Sequence, residues 1–235
     1  GLTLLSKVRE LKNPLLKTVI CSAYGDMDNI RTAMNRGAFD FVTKPVDFND
    51  LEITLEKTIG ELNIVREGLA YHDKLLSIEH DLMVAREIQR AIMPKAIPGL
   101  EWADIDGSME AARQIGGDFY DYFMMDDHRL GFVIGDVSGK GIPAAIFMAV
   151  SRTLIRATGL KGMSPRDCMN YVNHLLCTES VNSMFVTVFY GMLDLETDTL
   201  HYVNAGHNPP ILLRHNGSTE VFPMTDNIVL GVYDG

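Results

Sequence analysis

Between residues 50 and 92 there is no proline, and the only glycines are Gly60 and Gly68. Each glycine costs a helix about 1 kcal/mol relative to alanine, too little to stop it. Leu55, Leu62, Leu69, Leu76 and Met83 recur at every seventh position of this stretch. That spacing is one seam of a coiled coil. The second seam is poor: Val65 fits, whereas His72, Glu79 and Arg86 do not. Such a helix would reach roughly 60 Å and cannot bury its apolar stripe alone. A parallel homodimer through this rod is therefore expected, the alternative being a helix packed on the domain that follows. Pro94 and Pro98 end it. The rod divides the chain into residues 1–60, a helical linker at 61–94, and residues 95–235.

The first part alternates helix and strand signals. "LTLLSKVREL" has helical apolar spacing and is broken at Asn13 and Pro14. "KTVICSA" reads as a buried strand, 28–36 as a helix closed by Gly37, and "FDFVTKP" as a strand stopped by Pro45. Asp47 or Asn49 can cap the helix that follows. Strands separated by helices predict an α/β, parallel, doubly wound sheet. Two strands are too few for a stable sheet, so the chain is expected to start inside a domain.

After the rod the pattern turns β-rich. "RLGFVIGDV", "MFVTVFYGMLDL" and "TLHYVNAG" read as strands, and "ILLRHNGSTEVF" as a hairpin with a type I′ turn at Asn216-Gly217. Two helices interrupt them, 143–158 and 165–177, the second with Ser164 as cap. This mixture predicts an α+β domain with a mainly antiparallel sheet. Residues 1–95 carry 13 basic and 14 acidic side chains, and residues 96–235 carry 8 and 17. The acidic second part argues against a nucleic-acid surface, which needs clustered lysine and arginine. It suits divalent cations, or simply a soluble surface. No apolar run is long enough to span a membrane, and the charged N-terminus is no signal peptide. Cys21, Cys168 and Cys177 lack metal-ligand spacing and fit a reducing cytoplasm.

Two glycine-aspartate loops remain, "QIGGDFYDYF" at 114–123 and "IGDVSGKG" at 134–141. A phosphate-binding loop needs GxxxxGK followed by a hydroxyl residue. Here Ile134 replaces the first glycine and Gly141 the hydroxyl. A diguanylate-cyclase GGDEF hairpin needs a second acid where Phe119 stands. The remaining reading joins both loops. Asp118 ends an extended segment and Asp136 a strand, and neighbouring strand ends would bring the carboxylates to one point. Oxygen donors without nearby cysteine or histidine favour Mg²⁺ or Mn²⁺ over zinc. A pair of such ions can support in-line attack on phosphorus. Asp121 reads as a solvated acid rather than a supporting group. His207 reads as a substrate contact or as a turn-holding residue, and Lys140 as a phosphate contact or a helix-entry charge. Met124, Met125, Met148 and Met163 read as core or surface filler.

From "AREIQRAIMP" through "QIGGDFYDYF", "IGDVSGKGIPAAIFMA", "MFVTVFYGMLD" and "NAGHNPP", residues 85–235 resemble the bacterial PPM-type serine/threonine phosphatases of the SpoIIE and Rsb class. The resemblance implies an αββα sandwich with two Mn²⁺ or Mg²⁺ ions. It implies that Asp136 bridges the ions, that the Val137 carbonyl adds a ligand and that Asp118 binds nearby, so Asp118 and Asp136 carry catalysis. The implied reaction hydrolyses phosphoserine or phosphothreonine on an anti-sigma-factor antagonist-like protein, by activated water and without a phosphoenzyme. The family draws further metal aspartates from a later segment, and Asp234 is not at that position. These residues alone are expected to turn over poorly, and the full-length protein to be active. The rival reading is a phosphatase-like scaffold that binds its partner without turnover.

Residues 1–60 resemble the C-terminal half of a response-regulator receiver domain, through Ser22-Ala23 and "GAFDFVTKPVD". That resemblance implies that Ser22 and Lys44 contact a phosphoryl group, that Phe41 switches packing, and that an upstream histidine kinase is a partner. The chain holds no phosphoacceptor aspartate at the family's position.

Overall fold

The computed structural model describes residues 2–23, 27–94, 104–110, 114–179, 184–223 and 227–234. Pro98 lies outside these residues. The chain forms two compact units, residues 1–80 and 81–235.

In the first unit, α1 (Leu2–Glu10) and α2 (Met27–Asn35) accompany β1 (Val19–Ala23) and β2 (Asp40–Lys44). The two strands pair in parallel, with Ser22 beside Thr43 and Ala23 beside Lys44. Leu5, Ala33 and Ala38 form the core, with Leu2 and Ile20 against it. At the end of α2, Ala38 N–H reaches Ala33 O and Gly37 N–H reaches Met34 O. These are the two bonds of a Schellman cap, which is why the helix stops at Gly37.

Helix α3 (Phe48–Ile92) runs unbroken for 45 residues. Asp47 is its cap: Oδ1 accepts from Asn49 N at 2.8 Å and Asp50 N at 3.4 Å. Gly60 and Gly68 are accommodated without a break, as their small propensity cost allows. Leu55, Leu69, Leu76 and Met83, the predicted seam, are exposed, and Leu62 is half-buried.

The second unit is built on an antiparallel sheet in the order β3 (Phe119–Met124), β4 (Arg129–Val137), β5 (Val186–Asp194), β6 (Thr199–Ala205). Period-two alternation gives the sheet two different faces. Phe119, Phe123, Val133, Val137, Val188 and Tyr190 point to one face, against Ala144, Met148 and Ile155 of α4 (Ile142–Gly159) and Cys168, Val172 and Leu176 of α5 (Pro165–Glu179). Tyr190 and Cys168 are fully enclosed, and burial pushes the Cys168 thiol up to about 12. The other face carries aromatic residues. Phe189 stacks on Tyr202 at 5.3 Å, and Phe222 meets both rings edge-on. Phe222 follows a second, two-stranded sheet of β7 (Ile211–Leu213) and β8 (Thr219–Val221).

Local chemistry explains the helix starts. Gly139 and Gly141 adopt φ of 89° and 75°, the left-handed region that favours glycine, and Pro143 sits in the first turn of α4. Ser164 caps α5: its Oγ accepts from Asp167 N at 3.2 Å and donates to Asp167 Oδ2 at 2.7 Å. The β7–β8 turn differs from expectation. Gly217 has φ of 83°, but Asn216 is absent from the residues with positive φ, so the turn is not type I′. Gly217 N–H bonds Arg214 O, and Arg214 N–H bonds Ser218 O. That is a longer loop, a type I turn completed by a left-handed glycine.

Candidate active site

The β3–β4 register pairs Phe119 with Gly135. Extended by one residue, it sets Asp118 directly opposite Asp136. Asp118 therefore precedes a strand rather than ending one. Residues directly opposite share a face, and here it is the face away from the helices. The two carboxyls lie within hydrogen-bonding reach. Partial burial first, then the hydrogen bond and like charge of Asp136, push the Asp118 carboxyl up, while His207 opposes the shift. Like charges directly opposite on a ladder destabilise it, so this pair is a cost the fold carries.

Asp118 and Asp136 line a pocket of about 330 Å³ with Ser108, Glu110, Tyr120 and His207. His207 is held there from two sides. Its main-chain N–H donates to Asn204 Oδ1 at 2.8 Å, and its carbonyl accepts from Asn204 Nδ2 at 2.9 Å. Its ring Nδ1 lies 2.8 Å from Thr187 Oγ1, and Thr187 pairs with Asp136 across β4–β5. Burial pushes the His207 imidazole down, against the pull of Asp118. The Asn204 side chain thus holds the turn through the His207 main chain, while the ring braces Thr187 and lines the pocket. Val137 is buried, and the backbone of Gly117 packs against its carbonyl. Lys140 is exposed in the loop entering α4.

Asp121 corrects the sequence reading. It is not solvated but 1% exposed, on the helix-facing side of β3. Arg156 Nη1 donates to its Oδ1 at 2.7 Å, and Arg152 Nη2 lies 2.8 Å from its Oδ2. The guanidinium of Arg156 also sits over the Phe123 ring at 5.0 Å. Strand alternation puts Asp121 on the opposite face from Asp118, so it does not support that pocket.

In the first unit, Ser22 and Lys44 occupy the C-terminal ends of adjacent parallel strands, the edge where open α/β sheets bind ligands. Phe41, paired with Ile20, is half-buried. Ser108 and Glu110 went unnoticed in the sequence, because residues 104–110 show no periodicity or motif.

The donors at the pocket are carboxylate oxygens, which suit a hard divalent cation. Among the described residues no third histidine, cysteine, aspartate or glutamate joins them in a ligand cluster.

The four-stranded antiparallel sheet backed by two helices has the fold of PP2C domains. The SiaA-PP2C domain of Pseudomonas aeruginosa shares this fold at TM-score 0.55, over 67% of this chain and 64% of that one, with 17% identity. Residues 126–235 match the family model of stage II sporulation protein E (SpoIIE), and residues 1–56 match that of the response regulator receiver domain. The two matches lie in order along the chain, a receiver-like segment followed by a SpoIIE-like one. Protein IcfG of Synechocystis sp. is 32% identical over 164 residues, 58% of this chain and 26% of that protein. Phosphoserine phosphatase RsbU of Bacillus subtilis is 28% identical over 191 residues, 79% of this chain and 55% of that protein. The chain therefore spans between 26% and 55% of the length of these two relatives.

Proposed function

We propose that residues 95–235 form a metal-dependent protein serine/threonine phosphatase domain, the output of a response regulator whose receiver occupies residues 1–60. The observation that carries this reading is the Asp118–Asp136 pair, facing each other on the open side of the sheet at a pocket that also holds His207. Unpaired like charges have no structural use there. Alone they would repel a phosphate dianion. Divalent cations, Mn²⁺ or Mg²⁺, would reverse the sign of that field and activate a water for attack on phosphorus.

Asp118, Asp136 and the Val137 carbonyl are the groups assigned to two such ions. The chain's own part is to hold these oxygens together before substrate arrives, so that little reorganisation remains for the reaction. His207, fixed by Thr187 and Asn204, borders the space for the phosphoryl group. The substrate class is phosphoserine or phosphothreonine on an anti-sigma-factor antagonist-like protein, in keeping with the likeness to a phosphoserine phosphatase.

In the receiver segment, Ser22, Phe41 and Lys44 are the proposed phosphoryl-sensing residues, with a histidine kinase upstream. The exposed stripe of α3 is proposed to pair with a second copy, residues 61–94 forming the linker. Among the described residues no helix is long and apolar enough to cross a membrane. The cytoplasm is the proposed compartment, where the kinase and phosphoprotein partners would be met.

The test is Asp136→Asn in the full-length protein. Mn²⁺-dependent phosphate release from a phosphoserine peptide should fall to the rate seen without metal. Release at the wild-type rate would overturn the reading, and a variant and parent equally inactive yet partner-binding would favour the scaffold.

A further inference from the structure

We infer that Gln89 is a positioning residue for the proposed metal centre: its side-chain amide fixes the Gly116–Gly117 backbone that presents Asp118 and packs on the Val137 carbonyl. The role depends on the phosphatase reading of that centre and adds to it a residue outside the pocket.

Gln89 lies one turn before the end of α3 and is only 6% exposed. On one side it meets an apolar groove lined by Ala85, Ile88, Ile92, Ile115 and Met148, and on the other a polar pocket with Arg86, Arg90, Glu110 and Gln114. A buried amide in such a place is costly unless both its ends are paired. Both are paired here, and by one residue. Gln89 Nε2 donates to Gly116 O at 2.7 Å, and Gly116 N donates to Gln89 Oε1 at 3.2 Å. The side chain acts as one rung of a β-ladder, fixing the plane of the loop as well as its distance.

The next two residues carry that constraint to the site. A Cβ on Gly117 would lie 3.1 Å from Val137 Cβ and 3.2 Å from both Ala144 Cβ and Val137 O. Gly117 is therefore seated against the main chain that supplies the proposed carbonyl ligand. Asp118 follows immediately and enters the ladder opposite Asp136. One amide thus sets the relation of two proposed ligand groups to a third. Anchoring the helix does not require it, because Ile92 and Met93 already pack against the core. An apolar side chain at residue 89 would bury as much area without a polar penalty, but it would not orient Gly116.

The experiment uses the full-length protein and Mn²⁺ alone, titrated by calorimetry and by the electron paramagnetic resonance of free Mn²⁺. Gln89→Met, similar in length, and Gln89→Glu, which lacks the donor, should each weaken Mn²⁺ binding about 10-fold or more, as loss of a ligand's supporting partner does. Ile92→Ala loosens the same helix end without touching Gly116. It should lower the melting temperature yet leave Mn²⁺ affinity unchanged. Folded Gln89 variants that bind Mn²⁺ like wild type would overturn the role, as would Ile92→Ala weakening binding equally. If Gln89→Met does not fold, Gln89→Glu decides. Asp136→Asn in the same titration separates the two levels. Wild type binding no better than Asp136→Asn would remove the metal centre itself, and the role of Gln89 with it.

Discussion

Asp118 and Asp121 stand at the start of one strand, yet they meet opposite chemistry. Asp121 turns to the helix side, is 1% exposed, and has the guanidinium groups of Arg152 and Arg156 at 2.8 and 2.7 Å. Asp118 turns to the open side and finds another carboxylate. The difference teaches what each charge is for. A buried carboxylate must be matched, and its matching partners make it part of the fold. An accessible carboxylate set against a like charge costs stability, and a fold retains such a cost where something else is to be bound.

Breaking the matched side should have the largest effect. Asp121→Ala leaves Arg152 and Arg156 of α4 without their anion, and removing one partner of a buried pair costs about 3–5 kcal/mol. The thermal transition of residues 81–235 should drop by roughly 10 °C or more, read by calorimetry. A drop of a degree or two would mean that water reaches the arginines, and the two faces would no longer differ in kind. The unmatched side should respond to cations instead. Mn²⁺ at about 100-fold above its dissociation constant should stabilise the folded protein by about 2.7 kcal/mol. Asp136→Asn should abolish most of that gain in a thermal-shift titration. An equal gain in the variant would place the cation elsewhere.

The framework behind this contrast was legible in the sequence, and the part that was missed has a physical reason. Strand β4 was expected and found over the same residues, because its apolar run ends sharply in turn residues. The parallel β1–β2 pair, the Asp47 and Ser164 caps and the long helix α3 likewise follow from local signals. Asp121 was misread because acids are usually solvated. Yet the alternation Phe119, Asp121, Phe123 places it among buried rings, and Arg152 and Arg156 one helical turn apart supply its partners. Reading the two elements together would have found it. Ser108, Glu110 and the Gln89–Gly116 pair lie outside that reach. They join segments remote in sequence through loops, where neither the helical nor the strand period applies.

A smaller effect is expected where the pocket is braced. Thr187→Val removes the hydroxyl 2.8 Å from His207 Nδ1 while keeping a β-branched shape suited to β5. The lost bond should cost about 1 kcal/mol in urea denaturation. It should also reduce phosphate release by the full-length protein, since His207 loses one of its two holds. Unchanged release with lowered stability would make the histidine a turn residue only, and would confine the functional side of the comparison to the two aspartates.

The smallest effect is the sharpest test of the unmatched pair, because its sign is opposite to that of an ordinary structural carboxylate. Folding raises the Asp118 carboxyl above its ordinary value of 3.8, through partial burial and then through Asp136. A raised carboxyl contributes stability that is fully present below that ordinary value and is lost as pH rises through the folded one. Without divalent cations, the contribution of Asp118 should therefore fall as the solution passes from acid toward neutral, where Asp118 is charged against Asp136, and it is read as the difference between wild type and Asp118→Asn. Asp118→Asn removes the ionisation, so at neutral pH the variant should be slightly more stable than wild type. The gain should stay within about 1 kcal/mol, the scale of a cross-strand pair, and screening at this exposed position reduces it further. Below the ordinary value the two proteins should converge. Chemical denaturation in chelator at acidic and neutral pH reads the difference. An Asn variant less stable than wild type at neutral pH would mean that Asp118 is matched after all, by a cation or donor of the chain itself, and the open face would then be structural like the other.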